Sequence, residues 1–546
     1  MEKRRLQLLL LALLFPTYGY FYQSGDHNEA ARLDLVRAFV DDGVLWIDAY
    51  AYNSADVITY ERDGVSHVYS GKAPGSSILA ALPFKLTSEV LRPFELPEWL
   101  HWHAVAYATA LLSLSLLSAL AAAALLGVCW HATGSATSAL LGVVSVWLGT
   151  ILFPFSTLQF GHAQAAACAA FAFALLYGLR HGGRASAWRV AAAGFAAGFA
   201  VVIEYPAIIL VAWLGLYLLH ALGSLPGSRG RRAGLLASFV GGGLGAAAFL
   251  AAYNLAAFGT LLYVPYAAYA TDTSYFQAHA RGVLGVSWPG LASFLEVLAE
   301  ITVRPQRGLV YLGLDGLRVY ATNPVLWLAL PGLALLCLRK ETRAEAALAA
   351  AAAASFLAFN ACFGDSIVYW GGGASVGPRH LIVMLPLLVL PLARAARGWR
   401  WLLLPLLAVS VFYMLLATAT EPRVGYEFQN PPREFFAASW LDGRLALSRA
   451  HLFDVDRQLL TTDSVSFNLG KLAGLPGALQ LAPLMAWWIA VGSWLLRTAA
   501  RIDAEAAVAS AAGRSPTLAF RLALAGLAAF GLFVAAAPLV VNAIRY

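Results

Sequence analysis

About thirteen apolar runs divide the sequence, and most of them have roughly the 20 residues that an α-helix needs to cross the hydrocarbon core of a bilayer, although several are shorter. Their predicted positions are 5–22, 104–128, 135–152, 161–179, 187–203, 205–221, 234–257, 322–338, 344–362, 380–393, 401–419, 479–496 and 518–541. Only 12% of the residues are charged, about half the fraction that is usual in a soluble protein. The sequence therefore predicts an all-α polytopic membrane protein with about thirteen transmembrane helices.

The basic residues lie mainly in every second connection between these runs, which is the distribution that marks cytoplasmic loops. The first run follows the charged start Glu2–Arg5 and precedes bulky residues rather than a small-residue cleavage site. We therefore expect an uncleaved first helix with a cytoplasmic N-terminus, in a multi-pass protein of the inner (plasma) membrane. Because the net charge of +7 comes from these loops, it does not indicate binding to nucleic acid.

The alternate connections are mostly longer, and they are predicted to lie outside. The largest are residues 23–103, 258–321 and 420–478. We expect them to form a cap over one membrane-embedded domain that comprises residues 1–546. Apolar residues recur at helical spacing over Asn28–Asp42, which predicts an amphipathic helix at the membrane interface. The apolar run after Pro74 is too short to span a bilayer, and it predicts a re-entrant or interfacial segment.

Carboxylates are concentrated in the first outer segment, in a chain with few charges elsewhere. Asp26, Glu29, Asp48 and Asp56 are candidates for a general base, because proton transfer is a common use of Asp and Glu side chains. Each of them, taken alone, is also explained as a solvated residue of a polar loop. Their shared position near the predicted interface favours a catalytic role for at least one of the four, with Asp26, Glu29 and Asp48 the leading candidates.

Basic side chains at outer turns with glycine or proline are candidates for holding a phosphate. Lys72 in YSGKAPGSS offers a point charge, whereas Arg307 in RPQRGLVY and Arg379 in GGGASVGPRH offer paired donors. Glu204 and His162 lie at the predicted outer ends of apolar runs, and an intramembrane carboxylate indicates a functional site. Instead of binding a phosphate, the three basic residues are also explained as anchors at the membrane interface. Glu204 and His162 are also explained as buried residues with a structural role.

No motif in the sequence indicates nucleotide or zinc chemistry. A Walker loop, a Rossmann glycine pattern, an HExxH pair and paired CxxC motifs are all absent. The four cysteines lie in or beside apolar runs, where they are expected to be buried small side chains rather than metal ligands. The cofactor requirement stays open between none and a divalent cation, Mg²⁺ or Mn²⁺, held by carboxylate oxygens.

Five segments carry a resemblance to a known family: NEAARLDLVRAFVDDG, YSGKAPGSS, YNLAAFGTLLYVPY, RPQRGLVY and WGGGASVGPRHL. With them the chain resembles the GT-C class of integral-membrane glycosyltransferases, especially the superfamily of protein mannosyltransferases and aminoarabinose transferases. The resemblance implies a donor sugar linked to polyprenyl phosphate, a lipid, glycan or protein acceptor, and an active site on the non-cytoplasmic side. It also implies that a carboxylate of the first outer loop is the base and that basic residues hold the lipid phosphate.

The resemblance places Asp26 and Glu29 near the family's acid pair, and Lys72 matches its lysine shortly before a proline. The chain departs from the family at two positions. Two residues separate Asp26 from Glu29, where the family often has adjacent acids, and Gly71 stands where an acid often precedes the lysine. Asp48 is therefore kept as an alternative base.

The hypothesis that results is an inverting transfer of a sugar from a polyprenyl-phosphate donor to a hydroxyl. The alternative is a membrane transporter or lipid flippase, for which inverted repeats and paired charges inside the spans are expected. The sequence contains no internal repeat. This absence favours the transferase over the transporter.

Overall fold

A computed structural model describes residues 2–182, 186–266, 268, 282–364, 371–447, 465–509 and 517–545 of the 546-residue chain. Residues 269–281 and 448–464 of the predicted outer segments, and Trp370 of the WGGGASVGPRHL motif, therefore lie outside the described residues. Helical structure is found in each of the predicted apolar runs.

The chain is built mainly from α-helices. In chain order they are Glu2–Gly19, His27–Arg37, Gly75–Leu91, Glu98–Ala110, Leu116–Thr133, Ala136–Trp147, Leu152–Phe155, Gly161–Arg180, Ala187–Ile203, Ile208–Ser224, Arg229–Phe258, Leu291–Thr302, Ala329–Cys337, Arg343–Ala361, Val389–Gly398, Arg400–Ala419, Ala438–Leu441, Leu469–Leu472, Ala482–Trp487, Ser493–Ala509 and Thr517–Arg545. Short 3₁₀ segments are Asp48–Asn53, Arg92–Phe94, Tyr205–Ala207, Pro324–Leu328, Lys340–Thr342, Arg379–Leu388 and Gly477–Leu481. Segments of π-helix are Ala38–Asp42, Leu111–Ser115, Pro432–Ala437 and Trp488–Gly492.

Eight of the described helical segments are long and apolar enough to cross a membrane. They are Glu98–Thr133, Gly161–Arg180, Tyr205–Ser224, Arg229–Phe258, Lys340–Ala361, Arg379–Gly398, Arg400–Ala419 and Gly477–Val508. Four apolar helices are shorter: Ala136–Trp147, Ala187–Ile203, Pro324–Cys337 and Ala525–Leu539. The all-α polytopic class is confirmed, and the count of thirteen crossing helices stays a prediction.

Small residues allow the membrane helices to approach closely. A Cβ atom on Gly194 would lie 1.9 Å from the carbonyl oxygen of Phe239, and one on Gly242 would lie 1.9 Å from that of Ala191. The helices Ala187–Ile203 and Arg229–Phe258 are therefore in backbone contact. This is how helices associate in lipid, where no hydrophobic effect drives them together.

In the described parts of the chain, three two-stranded antiparallel sheets accompany the helices, and none of them was predicted from the sequence. One hairpin pairs Val57–Arg62 with Val65–Ser70, and Asp63 and Gly64 at its turn both have positive φ. An Asp-Gly pair between apolar-alternating runs is a hairpin signal that the membrane pattern obscured. The other sheets pair Leu312–Asp315 with Arg318–Ala321 and Phe21–Tyr22 with Phe467–Asn468.

The first outer helix differs from the amphipathic helix that its spacing predicts. A helix is present over His27–Arg37, but all nine residues from Asn28 to Val36 are buried by protein. It is therefore packed on every side and does not present one apolar face to an interface. The predicted re-entrant run forms the helix Gly75–Leu91, whose first residue would place a Cβ 2.6 Å from the backbone of Val202.

Candidate active site

Asp26 is the N-cap of the first outer helix. Its Oδ1 accepts a hydrogen bond from the backbone N–H of Asn28 at 3.1 Å, and Glu29 Oε2 accepts one from the backbone N–H of Asp26 at 3.1 Å. This arrangement is a capping box, which satisfies backbone donors at the start of a helix. It fixes both carboxyl groups in place, with Asp26 partly exposed and Glu29 buried.

Arg423 connects this helix start to a segment that is distant in the chain. Its Nε and Nη2 each donate to a carboxylate oxygen of Glu421 at 2.7 Å, and its Nη1 donates to Glu29 Oε1 at 3.2 Å. The side chains of Arg423 and Glu421 are fully buried. The bidentate, charge-assisted pair with Glu421 fixes the orientation of the Arg423 guanidinium within its own segment. The remaining hydrogen bond, from Nη1 to Glu29, connects that segment to the first outer helix.

The two acids of the capping box have pKa values displaced in opposite directions. Burial raises the pKa of Glu29 well above its usual range, although the charge of Arg423 opposes this. Burial also acts to raise the pKa of Asp26, but the charge of Arg423 and a hydrogen bond with Glu29 outweigh it and lower the pKa to about 2. Asp26 is therefore the ionised acid of the pair and Glu29 the one that retains a proton more readily.

A second buried ion pair joins the first outer helix to the membrane bundle. Arg32 Nη2 lies 2.7 Å from Glu204 Oε1, and His162 Nδ1 lies 3.5 Å from the same oxygen. All three side chains are buried. A Cβ on Gly161 would lie 2.4 Å from Glu204 Oε1, so only glycine fits beside this pair. The helix Gly161–Arg180 thus begins directly at the cluster.

Lys72 lies between the hairpin and the helix Gly75–Leu91, and its Nζ is 2.8 Å from Asp56 Oδ2. Both side chains are largely buried. Burial lowers the pKa of Lys72, and the positive charge of Arg379 acts in the same direction against the opposing effect of Asp56. The Lys72–Asp56 pair therefore lies within electrostatic range of Arg379.

Arg379 lies at the start of a 3₁₀ helix and contacts the run Gly371–Gly373, in which every residue has positive φ. A Cβ on Gly372 would lie 2.8 Å from Arg379 Nε, so this close approach requires glycine. The guanidinium carbon lies 4.8 Å from the ring centroid of Phe160, and Nη1 donates to the Ala374 carbonyl at 3.3 Å. Within the described residues, Arg379 forms no ion pair with a carboxylate, and its buried Nε has no hydrogen-bond partner.

Arg307 approaches the same glycine run from another outer segment. Its buried guanidinium donates from Nη1 to the Gly373 carbonyl at 2.5 Å and lies 4.8 Å from the ring centroid of Tyr426. Burial lowers the pKa of Arg307, Tyr426 opposes this, and the charge of Arg379 lowers it further. Two arginine side chains therefore flank one glycine turn.

His380 is a member of this cluster that the sequence analysis did not select. Its Nδ1 lies 3.2 Å from Asn360 Oδ1, and Asn360 Nδ2 donates to the Phe356 carbonyl at 2.8 Å. This network assigns the amide oxygen of Asn360 as the acceptor and places the His380 proton on Nδ1. The ring centroids of His380 and His162 are 5.5 Å apart.

Asp48, the alternative base, lies elsewhere. Its Oδ2 is 2.7 Å from His67 Nδ1, and its Oδ1 accepts from the backbone N–H of Val68 at 2.6 Å. These partners belong to the hairpin, and the Asp48 side chain is 42% exposed. The structure thus brings together the other predicted site residues, including Asp56 beside Lys72, and leaves Asp48 in a solvated hairpin pair.

Several members of the cluster could not be selected from the sequence alone. Glu421 and Arg423 directly follow the apolar run 401–419 on the predicted outer side, and opposite charges two residues apart after a span were an available signal. Asp56 was one of the four candidate carboxylates and Arg32 is a basic residue of the same outer segment, but nothing in the sequence paired Asp56 with Lys72 or Arg32 with Glu204. Within the described residues, no group of three or more His, Cys, Asp or Glu is suited to hold a metal ion.

Asp34 is a buried acid outside the cluster, and it makes stability depend on pH. Its Oδ1 accepts from Asn53 Nδ2 at 3.1 Å, whereas its Oδ2 and Asn53 Oδ1 have no partner in the described parts of the chain. Burial raises the pKa of Asp34 well above the ordinary 3.8, against the effect of the Asn53 hydrogen bond. Since the folded state binds the proton more tightly, stability is fully present below pH 3.8 and falls as pH rises toward the folded pKa.

Asp34→Asn is expected to remove this loss, because the amide carries no ionisable proton. The free energy of unfolding at pH 8 should rise by about 1–3 kcal/mol, the usual cost of an uncompensated buried polar group. Thermal unfolding in detergent between pH 4 and pH 9 measures the effect for both proteins. Parallel pH profiles for the variant and the unaltered protein would show that Asp34 does not titrate as described.

Comparison with known proteins gives similarity at the level of solved structures. No family model matches the chain, and no curated protein sequence matches it. It is similar to crystal structures of ArnT from Cupriavidus metallidurans bound to undecaprenyl phosphate (TM-score 0.44) and in the apo state (TM-score 0.41). Each similarity has 13% sequence identity and covers 97% of this chain and 76% of the other. TM-scores below 0.5 assign no family, residue role or ligand to this chain.

Proposed function

We propose that the chain is a membrane glycosyltransferase that moves a sugar from a polyprenyl-phosphate-linked donor to an acceptor hydroxyl, with inversion and with Asp26 as the base. One observation carries the proposal. The partly exposed carboxylate of Asp26 lies within electrostatic range of Arg379, a cation with no carboxylate partner in the described residues. An ionised acid beside an uncompensated cation suits a reaction that takes up a proton and releases a phosphate.

The balance of charge in the cluster supports a phosphate beside Arg379. Three of its cations are already paired with acids: Arg32 with Glu204, Lys72 with Asp56, and Arg423 with Glu421. Buried charges that lack a counter-ion are costly, and an anionic ligand removes that cost. A phosphate that accepts from the guanidinium would complete the cluster.

The proposed reaction transfers one glycosyl group and one proton. The acceptor oxygen attacks the anomeric carbon, its proton passes to the Asp26 carboxylate, and the bond between the anomeric carbon and the phosphate oxygen breaks. The phosphate leaves on the polyprenyl lipid with increased negative charge. Arg379 and Arg307, with Lys72 at the border of the site, stabilise this charge where it develops.

The environment of Asp26 fits the role of a base that is ionised before substrate binds. Its pKa of about 2 keeps the carboxylate charged at all physiological pH values. A bound acceptor displaces water from the carboxylate, and this desolvation raises the pKa toward the range in which proton transfer is efficient. The capping box with Glu29 fixes the orientation of the Asp26 carboxylate.

The finer assignments belong to the same proposal. The acceptor is a hydroxyl of a lipid, glycan or protein, and the site faces the non-cytoplasmic side of the inner membrane, as the distribution of basic residues indicates. Glu204 forms an ion pair with Arg32 of the first outer helix, and His162 contacts the same carboxylate oxygen, so both residues position the helix that begins at Asp26. Arginine and lysine side chains supply the positive charge for the phosphate, and a contribution from Mg²⁺ or Mn²⁺ stays open.

Arg379→Gln is expected to weaken binding of a polyprenyl phosphate by about 10- to 150-fold, because a charged hydrogen bond to phosphate is worth about 1.5–3 kcal/mol. Binding is measured with purified protein in detergent and a short-chain polyprenyl phosphate. Arg304→Gln is the matched control, since Arg304 is an exposed arginine of the same RPQRGLVY motif. Equal affinities for all three proteins would contradict the placement of the phosphate.

A further inference from the structure

A second group of arginines lies at the opposite end of the segment Arg379–Gly398 from the candidate active site. Arg394 and Arg397 belong to the helix Val389–Gly398, and Arg339 follows the helix Ala329–Cys337. The two helices are in backbone contact, because a Cβ on Gly332 would lie 2.0 Å from a carbonyl oxygen of the facing helix. The charges of Arg339 and Arg397 both act on Arg394.

These three like charges lack acidic partners. In the described portion of the chain, none of them forms an ion pair with a carboxylate, and Glu341, the nearest acid in sequence, forms none either. Arg397 donates from Nη1 to the Thr133 carbonyl. Arg394 has no side-chain hydrogen bond to a described residue, and its Nε is buried without a partner.

An arrangement of this kind is unfavourable unless something anionic completes it. The like charges repel one another, although the side chains of Arg339 and Arg397 are exposed and that of Arg394 is half-buried. The buried Nε of Arg394 costs free energy, because it has no acceptor among the described residues. Helix dipoles offset a part of this, because Arg394 and Arg397 lie in the last turns of their helix. That interaction does not supply the acceptor which Arg394 Nε lacks.

The position of the arginines indicates what the anion is. The membrane-crossing segment Arg379–Gly398 ends at this point, and the segments Lys340–Ala361 and Arg400–Ala419 begin here. Trp399 and Trp401 are 40% and 76% exposed beside the arginines. Tryptophan at the ends of spans marks the level of lipid headgroups, and basic pockets between helices at that level bind anionic headgroups.

We propose that Arg339, Arg394 and Arg397 form a binding site for the phosphate of an anionic phospholipid headgroup. The phosphate accepts hydrogen bonds from Arg394 and lies between the ends of the two helices, where it neutralises the three charges. The acyl chains of such a lipid run along the apolar surface of the adjoining spans. The site is independent of the proposed glycosyl transfer.

Native mass spectrometry of the purified protein tests the site, with phosphatidylglycerol and phosphatidylcholine added separately. The unaltered protein is expected to retain phosphatidylglycerol in preference to phosphatidylcholine. Arg394→Gln should weaken phosphatidylglycerol binding about fivefold, and the triple replacement of the arginines by glutamine about a hundredfold. Arg189→Gln is the control, because Arg189 is an exposed arginine of another basic connection, and it should bind like the unaltered protein.

Two further measurements separate the alternatives. Inorganic phosphate at the concentration of the lipid should not displace phosphatidylglycerol, and displacement would overturn the assignment to a lipid in favour of a small anion. In detergent without phospholipid, Arg394→Gln should melt at the same or a higher temperature, because it relieves repulsion. A lower melting temperature would show that Arg394 has a structural role, and unchanged lipid binding by Arg394→Gln and Arg339→Gln would also overturn the proposal.

Discussion

Asp26→Asn is expected to lower the rate of sugar transfer by about 10²–10⁴-fold, the contribution that a general base usually makes. Asparagine is as good an N-cap as aspartate, so the helix His27–Arg37 should begin as before. The replacement therefore removes the charge and the basic oxygen without removing the cap. The measurement is the initial rate at saturating donor, together with thermal unfolding to establish that the variant is folded.

Asp48→Asn is the matched control for this experiment. Asp48 is a carboxylate of the same outer segment, but its partners are His67 and the backbone of Val68 in the hairpin. Its replacement should leave the rate within about twofold of the unaltered protein. A full rate for Asp26→Asn combined with a large loss for Asp48→Asn would transfer the role of base to Asp48.

Arg423→Met is expected to lower the free energy of unfolding by about 3–5 kcal/mol, the usual cost of breaking a buried ion pair from one side. The replacement leaves Glu421 without its bidentate partner and Glu29 without its cation, both in a region closed to water. Chemical unfolding in detergent provides the measurement. A loss of transfer activity should accompany it, because Arg423 also contributes to the low pKa of Asp26.

Arg433→Met is the control for the loss of an arginine. Arg433 pairs with Asp315 at 3.5 Å, and both side chains are more than half exposed, so its contribution to stability should be below about 1 kcal/mol. The double replacement Arg423→Met with Glu421→Gln should recover a part of the loss, since it removes one of the stranded charges. A loss below 1 kcal/mol for Arg423→Met alone would contradict the account of a buried ion-pair network.

The positions of the membrane helices could be predicted from the sequence because each span must satisfy its backbone hydrogen bonds within itself. Length and apolar content then locate a helix without knowledge of its neighbours, and the helices Gly161–Arg180 and Arg400–Ala419 begin and end close to the predicted bounds. The hairpin Val57–Ser70 was missed although its Asp-Gly turn is visible in the sequence. Length and apolar content, which locate the membrane helices, do not take account of the residue types that form turns.

The ion-pair partners of the charged site residues could not be predicted, since these pairs join segments that are far apart in the chain. Glu29 and Arg423 are separated by 394 positions, and Arg32 and Glu204 by 172. The sequence indicates which charged residues are unusual in an apolar chain, but not which acid each base faces. The same limit explains why Asp48 was a candidate. It is an aspartate of the same predicted outer segment as Asp26, and only the fold of the backbone places the two residues in different surroundings.

The central claim is that this chain breaks the bond between a sugar and polyprenyl phosphate. Mass spectrometry of the lipids measures it most directly, after the purified protein has been incubated with a polyprenyl-phosphate-linked sugar and an acceptor extract. Polyprenyl phosphate is expected to accumulate as the donor disappears, in equal amounts, and Asp26→Asn should slow both changes by about 10²–10⁴-fold. Binding of the donor lipid without any release of polyprenyl phosphate, across a panel of donor sugars, would contradict it and favour a lipid transporter.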